Sequence, residues 1–127
     1  MKKLYPLVVT NKLKESANFY VKYFGFSVVF EQDWYMQLVH EKSGVELAFM
    51  KPNAENQPKK LHPAFDGKGM IYSFEVEDAK SEYERFSDIE KVVELTDEAW
   101  GQRHFIVQDP AGVYVDVVQQ LDESFTA

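Results

Sequence analysis

The chain has 127 residues, a formal net charge of −7 and a pI near 4.9, with 45% apolar and 28% charged residues. That length suits one domain with a sizeable core. The acidic balance argues against nucleic acid, whose phosphates require clustered Lys and Arg, and no apolar run approaches the roughly 20 residues of a membrane span. Cysteine is absent, which removes disulfides and thiol chemistry. Met1-Lys2-Lys3-Leu4-Tyr5-Pro6 lacks the apolar stretch and cleavage site of a secretory signal, so a cytoplasmic address is expected.

Residues 4–10 (LYPLVVT) are apolar and β-branched and predict a strand. Residues 13–24 (LKESANFYVKYF) place Leu13, Ala17, Tyr20, Val21 and Phe24 at helical spacing, with Thr10 or Asn11 able to cap the start and Gly25 beyond the end. Strands are predicted over 26–31 and 34–40, around a Gln32-Asp33 turn, and over 45–50 after Ser43-Gly44. Residues 52–69 are rich in Pro, Asn, Lys and Gly, show no period, and read as a long surface connection. A second set follows: a strand over 70–76, a helix capped by Asp78 and running through Tyr83 and Phe86, then strands over 91–96, 103–108 and 113–119. The last two are joined by Asp109-Pro110-Ala111-Gly112, where Pro fixes one φ and Gly frees another. Residues 120–127 are expected to fray.

The two sets repeat one order, βαβββ. Sliding one along the other by 66 residues aligns Val8 with Phe74, Thr10 with Val76, Leu13 with Ala79 and Tyr20 with Phe86. Helix starts and apolar faces coincide although identities are few, so the match is one of pattern.

Three stretches carry a family resemblance: Ser16-Ala17-Asn18-Phe19-Tyr20 with Tyr23-Phe24-Gly25-Phe26; Tyr72-Ser73-Phe74-Glu75-Val76-Glu77-Asp78; and Trp100-Gly101-Gln102-Arg103-His104-Phe105 running to Asp109-Pro110-Ala111-Gly112. In this order they resemble the vicinal oxygen chelate superfamily, that of glyoxalase, bleomycin-resistance proteins and dioxygenases. The resemblance implies an α+β fold in which two βαβββ modules form a curved mixed sheet around a cavity. The single domain would span 1–127, with module 1 at about 1–51, a linker at about 52–69 and module 2 at about 70–120. The places where its metal enzymes carry ligands fall here on Tyr5, Glu46, Ile71 and Asp116. Neither half supplies the family's His, and two acids alone would hold at most a weak Mg or Ca ion. The implied branch is therefore the non-metal, bleomycin-resistance-like one, with no metal, no cofactor and no catalytic residue. A metal-dependent lyase, transferase or dioxygenase with divergent ligands is the alternative, and a fold-only structural or regulatory partner a third.

Residue chemistry sharpens the binding reading. Alternation puts Tyr114, Asp116 and Val118 on one strand face, where Asp116 is either paired or simply solvated. By resemblance to the fosfomycin-resistance branch, Ile106 and His104 face the cavity, which would set His104 near Asp116. As an isolated residue, His104 is more readily read as an edge-strand side chain touching solvent. Trp100 precedes Gly101 in a loop, and Trp34 sits at a hairpin. Each is either a stacking surface for a flat or cationic ligand or a rim of the core. The expected ligand is a small aromatic or cationic molecule, with an antibiotic-resistance role. Glu46, Glu75 and Asp116 would supply charge and Tyr5, Trp34, Trp100 and Tyr114 stacking, while His104 with Asp116 would make an acid–base or ligand-orienting pair. Unclosed sheets also predict a homodimer.

Overall fold

A computed structural model describes residues 1–121, which form two compact units. The first comprises Met1–Lys68 with Pro110–Gly112, and the second Gly69–Asp109 with the chain from Val113 onward. Each contains one four-stranded mixed sheet and one α-helix, the βαβββ order read from the sequence.

In the first unit the elements are β1 (Leu7–Val9), α1 (Leu13–Phe24), β2 (Ser27–Gln32), β3 (Tyr35–His40) and β4 (Val45–Met50), with sheet order β1-β4-β3-β2. β1 runs parallel to β4, which the crossover through α1 allows, and the remaining pairs are antiparallel hairpins. α1 buries Leu13, Ser16, Ala17, Phe19, Tyr20 and Tyr23, and Tyr20 stacks on Phe49 of β4 at 5.8 Å. Phe49 therefore faces the helix, and its neighbours Ala48 and Met50 face away.

The second unit holds β5 (Ile71–Glu75), α2 (Ala79–Glu84), β6 (Val93–Glu98), β7 (Gln102–Gln108) and β8 (Tyr114–Gln120), in order β5-β8-β7-β6. Phe105 meets Tyr83 and Phe86 edge-on at 5.3 Å each, so this side of β7 packs on the helical segment. Val107, Val113, Val115 and Val117 are fully buried. Burying one such side chain stabilises by about 1.5–3 kcal/mol, enough to fix which face of each strand points inward.

Several local expectations need correction. β1 is only three residues long, because Pro6 has no N–H to donate and uses its carbonyl to accept from Ala48 instead. Neither Thr10 nor Asn11 caps α1; the N-cap is Lys12, and the Thr10 hydroxyl accepts from the Lys12 N–H at 3.0 Å. The β2–β3 turn is Asp33-Trp34 rather than Gln32-Asp33, and β6 begins two residues later than expected. The connection after β4 belongs to the first unit: it has a 3-10 turn at Lys59–Leu61, and the Phe65 N–H donates to the Val9 carbonyl at 2.8 Å. Gln120, expected in the frayed tail, closes β8, while residues 122–127 lie outside the described residues. Two terminations match expectation. Gly25 ends α1 at φ 71°, and Asp78 caps α2 by accepting from the Ser81 N–H at 3.1 Å.

Candidate functional site

The strand registers give the two sheets matching rungs. Ser27, Val39 and Glu46 form one rung in the first unit, and Val93, Ile106 and Asp116 form its counterpart in the second. The next rung holds Phe30, Gln37 and Ala48 in the first unit and Thr96, His104 and Val118 in the second. Between these rungs the edge strand slips by one residue in both sheets, at Val28/Phe30 and at Val93/Thr96. Glu46 and Asp116 thus occupy equivalent places, on the sheet face away from the helix. Each carboxylate bonds to the matching residue of the adjacent strand: Gln37 donates to Glu46 at 2.7 Å, and Asp116 lies 2.7 Å from His104 Nδ1.

In the second unit His104 is a central residue of the site. β7 is an interior strand, so the expected solvent contact does not occur: His104 is 7% exposed. Its Nδ1 faces Asp116 and its Nε2 lies 2.9 Å from Glu98. Burial disfavours the imidazolium, but the hydrogen bonds to Glu98 and Asp116, with their negative charges, outweigh it and raise the His104 pKa. A ring with an acceptor at both nitrogens holds its proton and is poorly disposed to act as a general base.

Around it runs a hydrogen-bonded chain that begins at Trp100. The indole N–H donates to Gln102 at 2.7 Å, the Gln102 amide to Gln120 at 3.2 Å, and the Gln120 amide to Glu75 at 2.9 Å. The Trp100 ring is 50% exposed and stands edge-on to His104, with centroids 6.5 Å apart. Tyr114 flanks Asp116 on the same strand face, half-buried. Arg103 points to the other face and is forked on Asp97 at 2.6 and 3.0 Å, so its charge is spent away from this cluster.

The first unit carries a smaller network. Lys3 pairs with Glu46, Gln37 bonds to Glu46, and the Tyr35 hydroxyl donates to Gln37 at 2.8 Å. The hydrogen bonds from Lys3 and Gln37 hold the Glu46 carboxyl below the usual carboxylate range. Burial, then the neighbouring Tyr5, raises the Tyr35 pKa. Trp34 is half-buried and packs against Tyr35, with ring centroids 5.4 Å apart.

Of the eight residues singled out from the sequence, Glu75, Trp100, His104, Tyr114 and Asp116 share one sheet face or its rim in the second unit. Tyr5, Trp34 and Glu46 belong to the first. Sequence reasoning missed Glu98, Gln102, Gln120, Gln37 and Lys3. The alternation that exposed Asp116 could have found Gln102 and Gln120, which share the parity of His104 and of Asp116 on their strands. A cavity of about 340 Å³ bounded by Ile89, Glu90, Lys91, Val92 and Gln108 lies toward the other end of β7 and includes none of the eight.

The residues do not fit a divalent metal. Ile71 has no donor atom and pairs with Tyr114, while the first-strand neighbour of Asp116 is Ser73, a neutral hydroxyl. The acids are already engaged, Asp116 by His104 and Glu46 by Lys3 and Gln37.

Two βαβββ units, each with an acid on the matching rung of the sheet face away from its helix, define a paired-module α+β protein. A family model for the glyoxalase/bleomycin resistance protein/dioxygenase superfamily matches residues 4–117, and the chain belongs to that superfamily. Among curated proteins, none matches the sequence. Solved structures share the fold. One is a glyoxalase/bleomycin resistance protein/dioxygenase from Nocardioides (TM-score 0.78, 20% identity, covering 96% of this chain and 85% of that one). Another is a family enzyme from Burkholderia phytofirmans PsJN (TM-score 0.79, 14% identity, covering 92% and 97%). A third is a lactoylglutathione lyase from Agrobacterium tumefaciens (TM-score 0.75, 17% identity, covering 100% and 98%).

Proposed function

We propose that this protein binds a small aromatic or cationic molecule without metal, in the manner of bleomycin-resistance proteins, on the open face of the β5-β8-β7-β6 sheet. The observation that carries this reading is the convergence there of a half-exposed indole, Trp100, with three carboxylates, Glu75, Glu98 and Asp116, and a single compensating imidazole. A ring face beside excess negative charge attracts flat cations. Tyr5, Trp34 and Glu46 give the first unit a second aromatic and acidic patch, whose charge Lys3 already offsets. Sequestration of a toxic compound in the cytoplasm, by a homodimer, is the role this chemistry suits.

The test is titration with 9-aminoacridine, followed by the rise in melting temperature and by fluorescence. Saturable binding is expected, and Trp100→Ala should weaken it by about 1–3 kcal/mol if the ring stacks on the ligand. No effect of the substitution refutes the site, and no thermal shift at millimolar probe refutes a flat aromatic cation as its ligand.

A further inference from the structure

The polar groups around Trp100 narrow the ligand class, on the premise that this face is the binding site. The indole N–H is occupied by Gln102, so what Trp100 has left to offer is its ring face. It is the most exposed ring of this cluster, with Tyr114 half-buried, and a wholly aromatic ligand would meet polar groups beside these two rings. Gln102 and Gln120 each commit one amide hydrogen to the chain that ends on Glu75, and among the described residues each keeps a second. Among the described residues Glu75 and Asp116 each keep an oxygen beyond the one used, and Ser73, beside Asp116, is exposed. Covering such donors and acceptors with an apolar surface costs about 1–3 kcal/mol for each group left unsatisfied. Charge sets a further condition. With Glu75, Glu98 and Asp116 against one imidazole, and Arg103 turned to the opposite face, the surface favours a cation.

We infer that the ligand is a polyhydroxylated ammonium compound, of which an amino sugar is the simplest case. The C–H face of its saturated ring would lie on Trp100. Its hydroxyls would donate to Glu75 and Asp116 and accept from the spare amide hydrogens of Gln102 and Gln120, and its ammonium would meet the excess carboxylate. Gln102 and Gln120 are positioning residues in this scheme, because they hold the indole and the Glu75 carboxylate in one fixed relation.

Three probes separate the contributions: kanamycin, with hydroxyls and ammonium groups; spermine, with ammonium groups only; and maltotriose, with hydroxyls only. Each is titrated at 0.15 M salt into the whole protein, a condition that screens diffuse attraction to an acidic surface. The readout is the Trp100 indole and the Gln102 and Gln120 side-chain amide signals in NMR spectra. Kanamycin should shift these signals saturably, with at least tenfold higher affinity than either other probe, and Glu75→Gln should weaken it at least tenfold. Glu75 is exposed, so this variant should keep its fold, which the unchanged signals of the valine core would verify. Equal binding of spermine, or kanamycin leaving these signals in place, overturns the inference. If 9-aminoacridine shifts the same signals while kanamycin does not, the site stands and only the ligand class falls. If neither probe shifts them, the binding site itself falls.

Discussion

His104 shows how neighbours set a residue's chemistry. Its pKa is raised because two carboxylates grip the ring, so the Asp116→Asn variant should lower it, and an NMR titration of the imidazole that does not move would show the pair to be uncoupled. The folded-state pKa lies above that of the unfolded chain. The resulting stabilisation is complete below pH of about 6.5 and is lost as pH rises through the folded value, so the denaturation midpoint should fall as pH rises above about 6.5. Asp116→Asn should flatten that decline. Ser16 makes the opposite case. It is buried in α1 with its hydroxyl unpartnered among the described residues, and Ser16→Ala should be neutral or stabilising by about 1 kcal/mol in urea denaturation. A clear loss of stability would show that the hydroxyl is bonded.

At the level of elements, most of the fold was legible in the sequence because apolar periodicity and stop signals agree. α1 ends where Gly25 adopts φ 71°, and no neighbouring atom would block a Cβ there, so Gly25→Ala isolates the backbone cost. It should destabilise by about 1 kcal/mol, read as a lower urea midpoint at constant slope. The site was half legible. Alternation in β8 placed Asp116 opposite the valine core, but a single strand does not reveal its partners across the ladder. Glu98 stayed hidden because it ends β6 beyond a one-residue slip, and strand spacing alone cannot show where such a slip falls. The 66-residue offset likewise paired Tyr5 with Ile71, whereas the strand register sets Ser73 beside Asp116. Offsets that hold through the helices do not hold through hairpins of different length.

For the whole molecule, the donor set predicts that purified protein carries no stoichiometric transition metal. Elemental analysis showing one Zn, Ni, Mn or Fe per chain would contradict it. The exposed edges predict self-association. Leu4, Tyr5 and Leu7 lie exposed on or just before β1, and Met70 and Ile71 at the start of β5, each the outer strand of its sheet. The other outer strands, β2 and β6, are interrupted by the slip and are poorer templates for a partner strand. Light scattering at micromolar concentration should therefore give twice the chain mass, and a mass near 14.8 kDa would exclude the dimer. Ile71→Lys, at the first residue of β5, should shift the dimer toward monomer while leaving the far-ultraviolet spectrum intact.

The equal rungs of the two sheets make positions 37 and 104 interchangeable sockets. Each sits on the strand next to an acid, on the same face and one rung from a slipped edge, yet one holds a side chain that never titrates and the other one that does. At this one position a titrating proton is held in the second sheet and has no counterpart in the first, an asymmetry written in one side chain upon a common frame. Gln37→His should build the same pair in the first sheet: an additional imidazole resonance, bonded to Glu46 and titrating above the value of a free histidine.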